Sequence, residues 1–270
     1  MNFNCLFYNI KSKDLSLVIN EIVFENNIKM LFLCEDYNDP NILLHKLNKF
    51  DSFKYIDPIS YKKNGLSLYV SSEIGTIELI QEGERFRCYM LYRENLKILV
   101  CAVHIQSKLY STEDLQSLDA NLISEELYSL EKIHKSNSTI IVGDFNMNPF
   151  EKGMMKMDCF NCVFEKNTAL KGIRIYREKE FPLFYNPMIN HFNEYAHIVP
   201  GSYYYRSNRE NSLFWHVFDQ VIFRGDIIKE IQNEDVEIIY KIKDLKLINE
   251  EGLPDISIAS DHLPLKFKMR

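Results

Sequence analysis

The chain has 270 residues, and its 38 acidic against 32 basic side chains give a net charge of −6. That balance excludes a generally basic protein that coats duplex nucleic acid by charge alone. Hydrophobic residues make up 46% and charged residues 26%, the proportions of a globular chain with a large core, and residues 1–270 read as one domain.

No run of about 18 apolar residues and no basic-then-apolar leader occurs, so neither a membrane span nor a signal peptide is expected, and the expected location is cytoplasmic. Cysteines stand at 5, 34, 88, 101, 159 and 162, mostly inside apolar runs, where cysteine behaves as a small hydrophobe in a reducing compartment. Cys159 and Cys162 have C-x-x-C spacing but no second pair, which makes a weak metal or redox signal.

In chain order, Phe3 to Ile10 reads as a strand with Asn9 at its end. Ser12 is a candidate N-cap for a helix carrying Leu15, Val18, Ile19, Ile22 and Val23 at helical spacing. Met30 to Cys34 is a buried strand that runs into Glu35 and Asp36, and Pro40 to Phe50 is a second helix. Short strands follow at 53–56, 66–71, 75–81, 85–92 and 96–104, the last ending in His104.

Thr112 to His134 is the clearest helix. Leu115, Leu118, Leu122, Ile123, Leu127, Leu130 and Ile133 form its apolar stripe, and Glu113, Asp114, Glu125, Glu126 and Glu131 its solvated side. Ser138 to Val142 is a strand leading into Gly143-Asp144-Phe145-Asn146, where the glycine is expected to let the backbone leave the strand. Residues 150–212 carry no clear motif apart from Arg174-Ile-Tyr-Arg177 and Tyr203-Tyr-Tyr-Arg206. Phe214 to Phe223 is a strand with Asp219 inside it, Glu237 to Ile242 another, and Leu263 to Met269 the last, preceded by Ser260-Asp261-His262. The order predicts an α/β chain of two strand-rich layers with helices outside.

Asn9, Glu35, His104, Asp144 with Asn146, Asp219, and Asp261 with His262 all sit at or in apolar strands. Each alone is an ordinary turn former, cap or core histidine. Together they are a problem, because four carboxylates cannot be buried near one another without neutralisation, and a hard divalent cation with oxygen ligands supplies it.

The G-D-F-N motif at 143–146 and the S-D-H motif at 260–262, with Asn9, Glu35, His104 and Asp219 in order, resemble the endonuclease/exonuclease/phosphatase (DNase I-like) superfamily over essentially the whole chain. The resemblance implies a four-layered α/β sandwich of two packed mixed β-sheets flanked by helices, and Mg²⁺- or Mn²⁺-dependent hydrolysis of a phosphoester. It makes Glu35 similar to the main metal ligand with Asn9 beside it, and Asp261 similar to a carboxylate of the metal network. Asp144 and Asn146 match the pair that orients the attacking water and the phosphate. Asp219 matches the partner of His262, the histidine that stabilises the transition state or acts as its base, and His104 matches a second histidine on the phosphate or leaving group.

Two features depart from that pattern. Cys34 stands where many members have Gln, and His104 where the apurinic endonuclease branch has Tyr, which leans away from abasic-site repair. Arg85 or Arg87 is the expected phosphate-binding arginine, and Tyr203, Tyr204, Tyr205, Arg206, Arg209 and Trp215 are candidates for a substrate rim or, equally, a plain hairpin and a core anchor. The expected substrate is nucleic acid. A small phosphoester such as an inositol phosphate, a phospholipid headgroup or a nucleotide is the alternative, and a non-catalytic binding protein a further one. The sequence does not fix the oligomeric state.

Overall fold

The computed structural model, which describes residues 3–49, 51–56, 64–93, 96–192, 198–206 and 213–270, lays the apolar runs down as two sheets. In chain order the elements are β1 (Phe3–Asn9), α1 (Ser16–Glu25), β2 (Ile28–Cys34), α2 (Pro40–Leu47), β3 (Phe53–Tyr55), β4 (Ser67–Ser71), β5 (Thr76–Glu82), β6 (Phe86–Arg93), β7 (Leu96–His104), α3 (Glu113–His134) and β8 (Ser138–Asp144). Shorter pieces follow: α4 (Lys152–Met155), β9 (Cys162–Val163), α5 (Lys166–Ala169), the hairpin β10 (Ile173–Tyr176) and β11 (Lys179–Pro182), β12 (Phe184–Tyr185), β13 (Tyr203–Tyr204) and β14 (Trp215–His216). The chain closes with β15 (Asp219–Gly225), β16 (Val236–Ile238), β17 (Lys241–Ile242), β18 (Leu245–Lys246) and β19 (Leu265–Met269).

Among the described residues one sheet has the order β16-β19-β1-β2-β4-β3 and the other β5-β6-β7-β8-β15-β12-β9. Both are mixed: β1 and β2 are parallel through α1, β7 and β8 parallel through α3, while β19 and β15 run antiparallel to β1 and β8. A parallel pair needs a crossover, and a helix on the outer face supplies it. Strands covered on both faces read as unbroken apolar runs. In β7, Ile98, Val100 and Ala102 join the core between the sheets, while Leu99, Cys101 and Val103 pack outward with Ala120, Ile123, Leu127 and Leu130 of α3. The Phe223 and Phe267 rings meet edge to face with centroids 6.4 Å apart, joining β15 to β19 across the inter-sheet core. Helices, two sheets and helices make the four-layered α/β sandwich.

The topology puts the polar strand ends together. Asn9 pairs with Cys34 at the C-terminal ends of β1 and β2, and His104 pairs with Asp144 at the ends of β7 and β8. Because β15 is antiparallel, its first residue, Asp219, lies opposite Asp144. The Ser260–His262 segment enters β19 at the same end, since β19 is antiparallel to β1.

Local differences from the sequence reading have identifiable causes. Ser12 is not the cap of α1; it lies in a left-handed turn, and Asp14 Oδ1 accepts the Ser16 N–H at 3.1 Å instead. In α3 the buried face is Gln116, Ser117, Ala120, Ile123, Leu127 and Leu130. Leu115, Leu118, Leu122 and Ile133 are exposed, and Glu131, expected in solvent, pairs with Arg224 at 2.8 Å. The strand read over Phe214 to Phe223 is broken at Val217, whose N–H turns to Asn148 Oδ1 at 3.1 Å, so Trp215 and Asp219 lie on separate strands. The strand over Glu237 to Ile242 is likewise split into β16 and β17. All six cysteines are free and buried. Phe50 and Arg209 lie outside the described residues, among which no helix is long and apolar enough to cross a membrane.

Candidate active site

Gly143 is still inside β8, and its need for glycine is a matter of space: a Cβ there would lie 2.0 Å from the Val103 carbonyl oxygen of β7. That close approach draws His104 and Asp144 level. Asp144 is buried; its Oδ1 accepts the Asn146 N–H at 2.9 Å, an Asx turn that holds Asn146 in the left-handed region at φ 48°. The Asn146 amide donates to the Ile105 carbonyl at 2.9 Å, which leaves its second N–H for another acceptor.

Asp144 Oδ2 is the centre of the arrangement. Asn9 Nδ2 donates to it at 3.0 Å and to Glu35 Oε1 at 3.2 Å, so one amide holds two carboxylates together. Glu35 stands one residue past β2 with φ 52°, its backbone packed against Gly65, where a Cβ would meet Glu35 Cα at 3.1 Å. His104 Nε2 lies 3.9 Å from Glu35 Oε1 and 4.0 Å from Asp144 Oδ2, and His262 Nε2 lies 3.9 Å from that same Asp144 oxygen.

His262 Nδ1 bonds Asp219 Oδ2 at 2.8 Å. Burial disfavours the imidazolium, but Asp219, Asp144 and Asp261 outweigh it and push His262 up to about 10. Burial also raises Asp219, opposed by the charge and hydrogen bond of His262. Burial pushes Asp261 up as well, yet His262 and Lys11 hold its carboxyl below the ordinary range.

Tyr203, a rim candidate, lies at the site beside residues that carried no sequence signal of their own. The Tyr203 ring lies 4.6 Å from that of His262, and burial, then Asp261 and Asp144, push its phenol up to about 12. Ser202 Oγ accepts the Asp219 N–H at 3.1 Å, and the Ser202 carbonyl accepts the Leu263 N–H at 2.7 Å, tying Asp219 and the His262 segment to one serine. Asn148 reaches Glu151 at 2.7 Å and His216 Nδ1 at 3.0 Å. An isolated Ser or Asn in a loop has no periodicity to betray it.

The other expected rim residues are dispersed. Arg85 is half-buried beside the site, its carbonyl accepting the His104 N–H at 2.9 Å, whereas Arg87 is buried and donates to the Leu66 carbonyl at 2.6 Å. Tyr204 and Trp215 pack edge to face at 5.4 Å, and Trp215 lines an apolar cleft with Phe150, Phe192, Pro200 and Leu213. Arg206 is exposed and pairs with Glu251 at 3.0 Å.

No protein-family model matches the sequence, and no curated protein matches it either. Solved structures do match the fold. The chain is similar to truncated TDP2 of Caenorhabditis elegans, with a TM-score of 0.59 at 12% identity over 99% of this chain and 97% of that one. It is similar to D. rerio TDP2 complexed with single strand DNA product, with a TM-score of 0.55 at 13% identity over 99% and 98%. A third is an endonuclease/exonuclease/phosphatase family protein of Leptotrichia buccalis, with a TM-score of 0.55 at 12% identity over 99% of both chains. This chain has the endonuclease/exonuclease/phosphatase fold. On that fold the donor set fits a hard divalent cation. Asp144, Asp219 and His262 offer ligand atoms within 4.8 Å of one another, and buried Asp219 Oδ1 has no hydrogen-bond partner among the described residues. His262 Nδ1 is already bonded to Asp219, so the oxygens of Glu35 and Asp144, gathered by Asn9, are the better cation ligands.

Proposed function

We propose that the chain is a Mg²⁺- or Mn²⁺-dependent phosphodiester hydrolase, a nuclease acting on DNA or RNA. The observation that carries this reading is the position of Asp144 Oδ2, 3.0 Å from the Asn9 amide and 3.9 to 4.0 Å from two histidines at the shared end of both sheets. The complex of the D. rerio neighbour with single strand DNA product supports a polymeric substrate.

Glu35 and Asp144 would hold the cation, which when bound supplies Lewis-acid stabilisation of the phosphate charge. Asp144 aligns the attacking water and accepts its proton as the new P–O bond forms, and the free N–H of Asn146 meets the phosphate. The imidazolium of His262, held in one tautomer by Asp219, donates through Nε2 to the phosphate oxygen on which charge grows. His104 gives a proton to the leaving oxygen as the old P–O bond breaks.

The test is cleavage of labelled single- and double-stranded DNA and RNA with Mg²⁺ or Mn²⁺. Asp144→Ala and His262→Ala should each lower the rate by roughly 10²–10⁴-fold; variants as active as wild type would sink the reading. The net charge of −6 favours a second reading, a small phosphoester substrate, and a screen with inositol phosphates and nucleotides separates the two.

A further inference from the structure

Two residues beyond Asn9 stands Lys11, and its ammonium is lodged on the Asp261 carboxylate. The pair is half inside the site: the Asp261 side chain is 18% exposed and that of Lys11 is 53%. The backbone that presents the lysine is held in a tight turn. Lys11 and Ser12 are consecutive non-glycine residues in the left-handed region, with φ 50° and 59°. Such a pair persists only where its surroundings over-determine it. Here the Lys11 N–H donates to Asn9 Oδ1 and the Ser12 N–H to the Glu35 carbonyl, each at 3.0 Å. Lys13 Nζ donates to the carbonyls of Ile256 at 2.6 Å and Ala259 at 2.7 Å. One turn thus joins Asn9, Glu35 and the segment that delivers Ser260-Asp261-His262.

The charges agree with the geometry. Asp219 and His262 bond to each other. Of the site's other carboxylates, Glu35, Asp144 and Asp261 carry three negative charges, and Lys11 answers one of them. Two remain, the charge of one divalent ion, and the Asp261 carboxylate under Lys11 is not free for a second.

We propose that Lys11 is a resident cation of this site, which neutralises Asp261, keeps that carboxylate away from the metal, and limits the chain to a single divalent ion held by Glu35 and Asp144. This rests on the metal-dependent reading above. The test counts Mn²⁺ bound per full-length chain by calorimetry and electron paramagnetic resonance, with melting curves to confirm that each variant folds. Wild type and Lys11→Arg should bind one ion. Lys11→Gln and Lys11→Met should bind a second, which Lys11→Gln combined with Asp261→Asn should lose. Two ions on wild type, or one ion still on both neutral variants, would overturn the role of Lys11 while leaving metal dependence standing. No ion on wild type would overturn both.

Discussion

His216 shows how a side chain near the site can be fixed by its neighbours. Val217 N–H donates to Asn148 Oδ1, so the Asn148 amide nitrogen must face His216 Nδ1, which therefore accepts. A proton on Nδ1 would set two donors against each other. Burial first, and then Lys108, lower His216 to about 4, with Glu151 opposing. A histidine depressed in this way is neutral in the fold and charged when unfolded below its ordinary value of about 6.5. Its contribution to stability is complete above pH ~6.5 and is lost as pH falls towards 4. His216→Gln, which keeps an acceptor facing Asn148, should therefore lose less stability than wild type between pH 7 and 4.5. The difference between the two denaturation curves checks this and cancels the carboxylates common to both. Nothing around a lone histidine after tryptophan announces such a role. Asp144 and His262 were legible because each follows or precedes an apolar strand within a specific motif.

At the scale of elements, α3 shows what periodicity can and cannot say. The helix itself was legible: Thr112 Oγ1 accepts the Leu115 N–H at 3.3 Å, Glu113 and Asp114 fill the first turn, and Lys135 ends it in the left-handed region. Its apolar positions, however, run around more than one face, and the sheet covers only part of them. Ile123 is 2% exposed and its neighbour Leu122 is 55% exposed. Ile123→Ala should cost about 2–5 kcal/mol, and Leu122→Ala should stay within about 0.5 kcal/mol, both read from urea denaturation. The buried face was hidden because Gln116 and Ser117 take core positions: Gln116 donates to the carbonyls of Gln106 and Asn146, and so helps to hold the loop after β8. A polar residue spent on a loop looks in sequence like a solvated one.

For the whole molecule, the proposed cation site ties stability to metal. An ion that binds the folded chain and not the unfolded one stabilises it by RT ln(1 + [L]/Kd), about 2.7 kcal/mol at 100 times Kd. Mg²⁺ should raise the melting temperature of the wild-type chain, and Glu35→Gln should abolish most of that shift while leaving the melt without metal nearly unchanged. Differential scanning calorimetry with and without Mg²⁺ measures both.

The sequence by itself determined that apolar strands end in Asn, Glu, His and Asp, and in what order, because burial with period 2 and the cost of a polar terminus are local properties of a strand. It also pointed to two strand-rich layers with helices outside, since helices alternating with such runs have few ways to cover both faces of two sheets. Only the tertiary structure decided the partners. Lys11 meets Asp261 across 250 residues, and Asn9 meets Asp144 across 135. Tyr203 rather than Tyr204 lies against His262. These pairings depend on strand register and on how the two sheets pack against each other. Those quantities are set by the packing of the whole core, and the alternation of side chains along any one strand is the same whichever neighbour it finds.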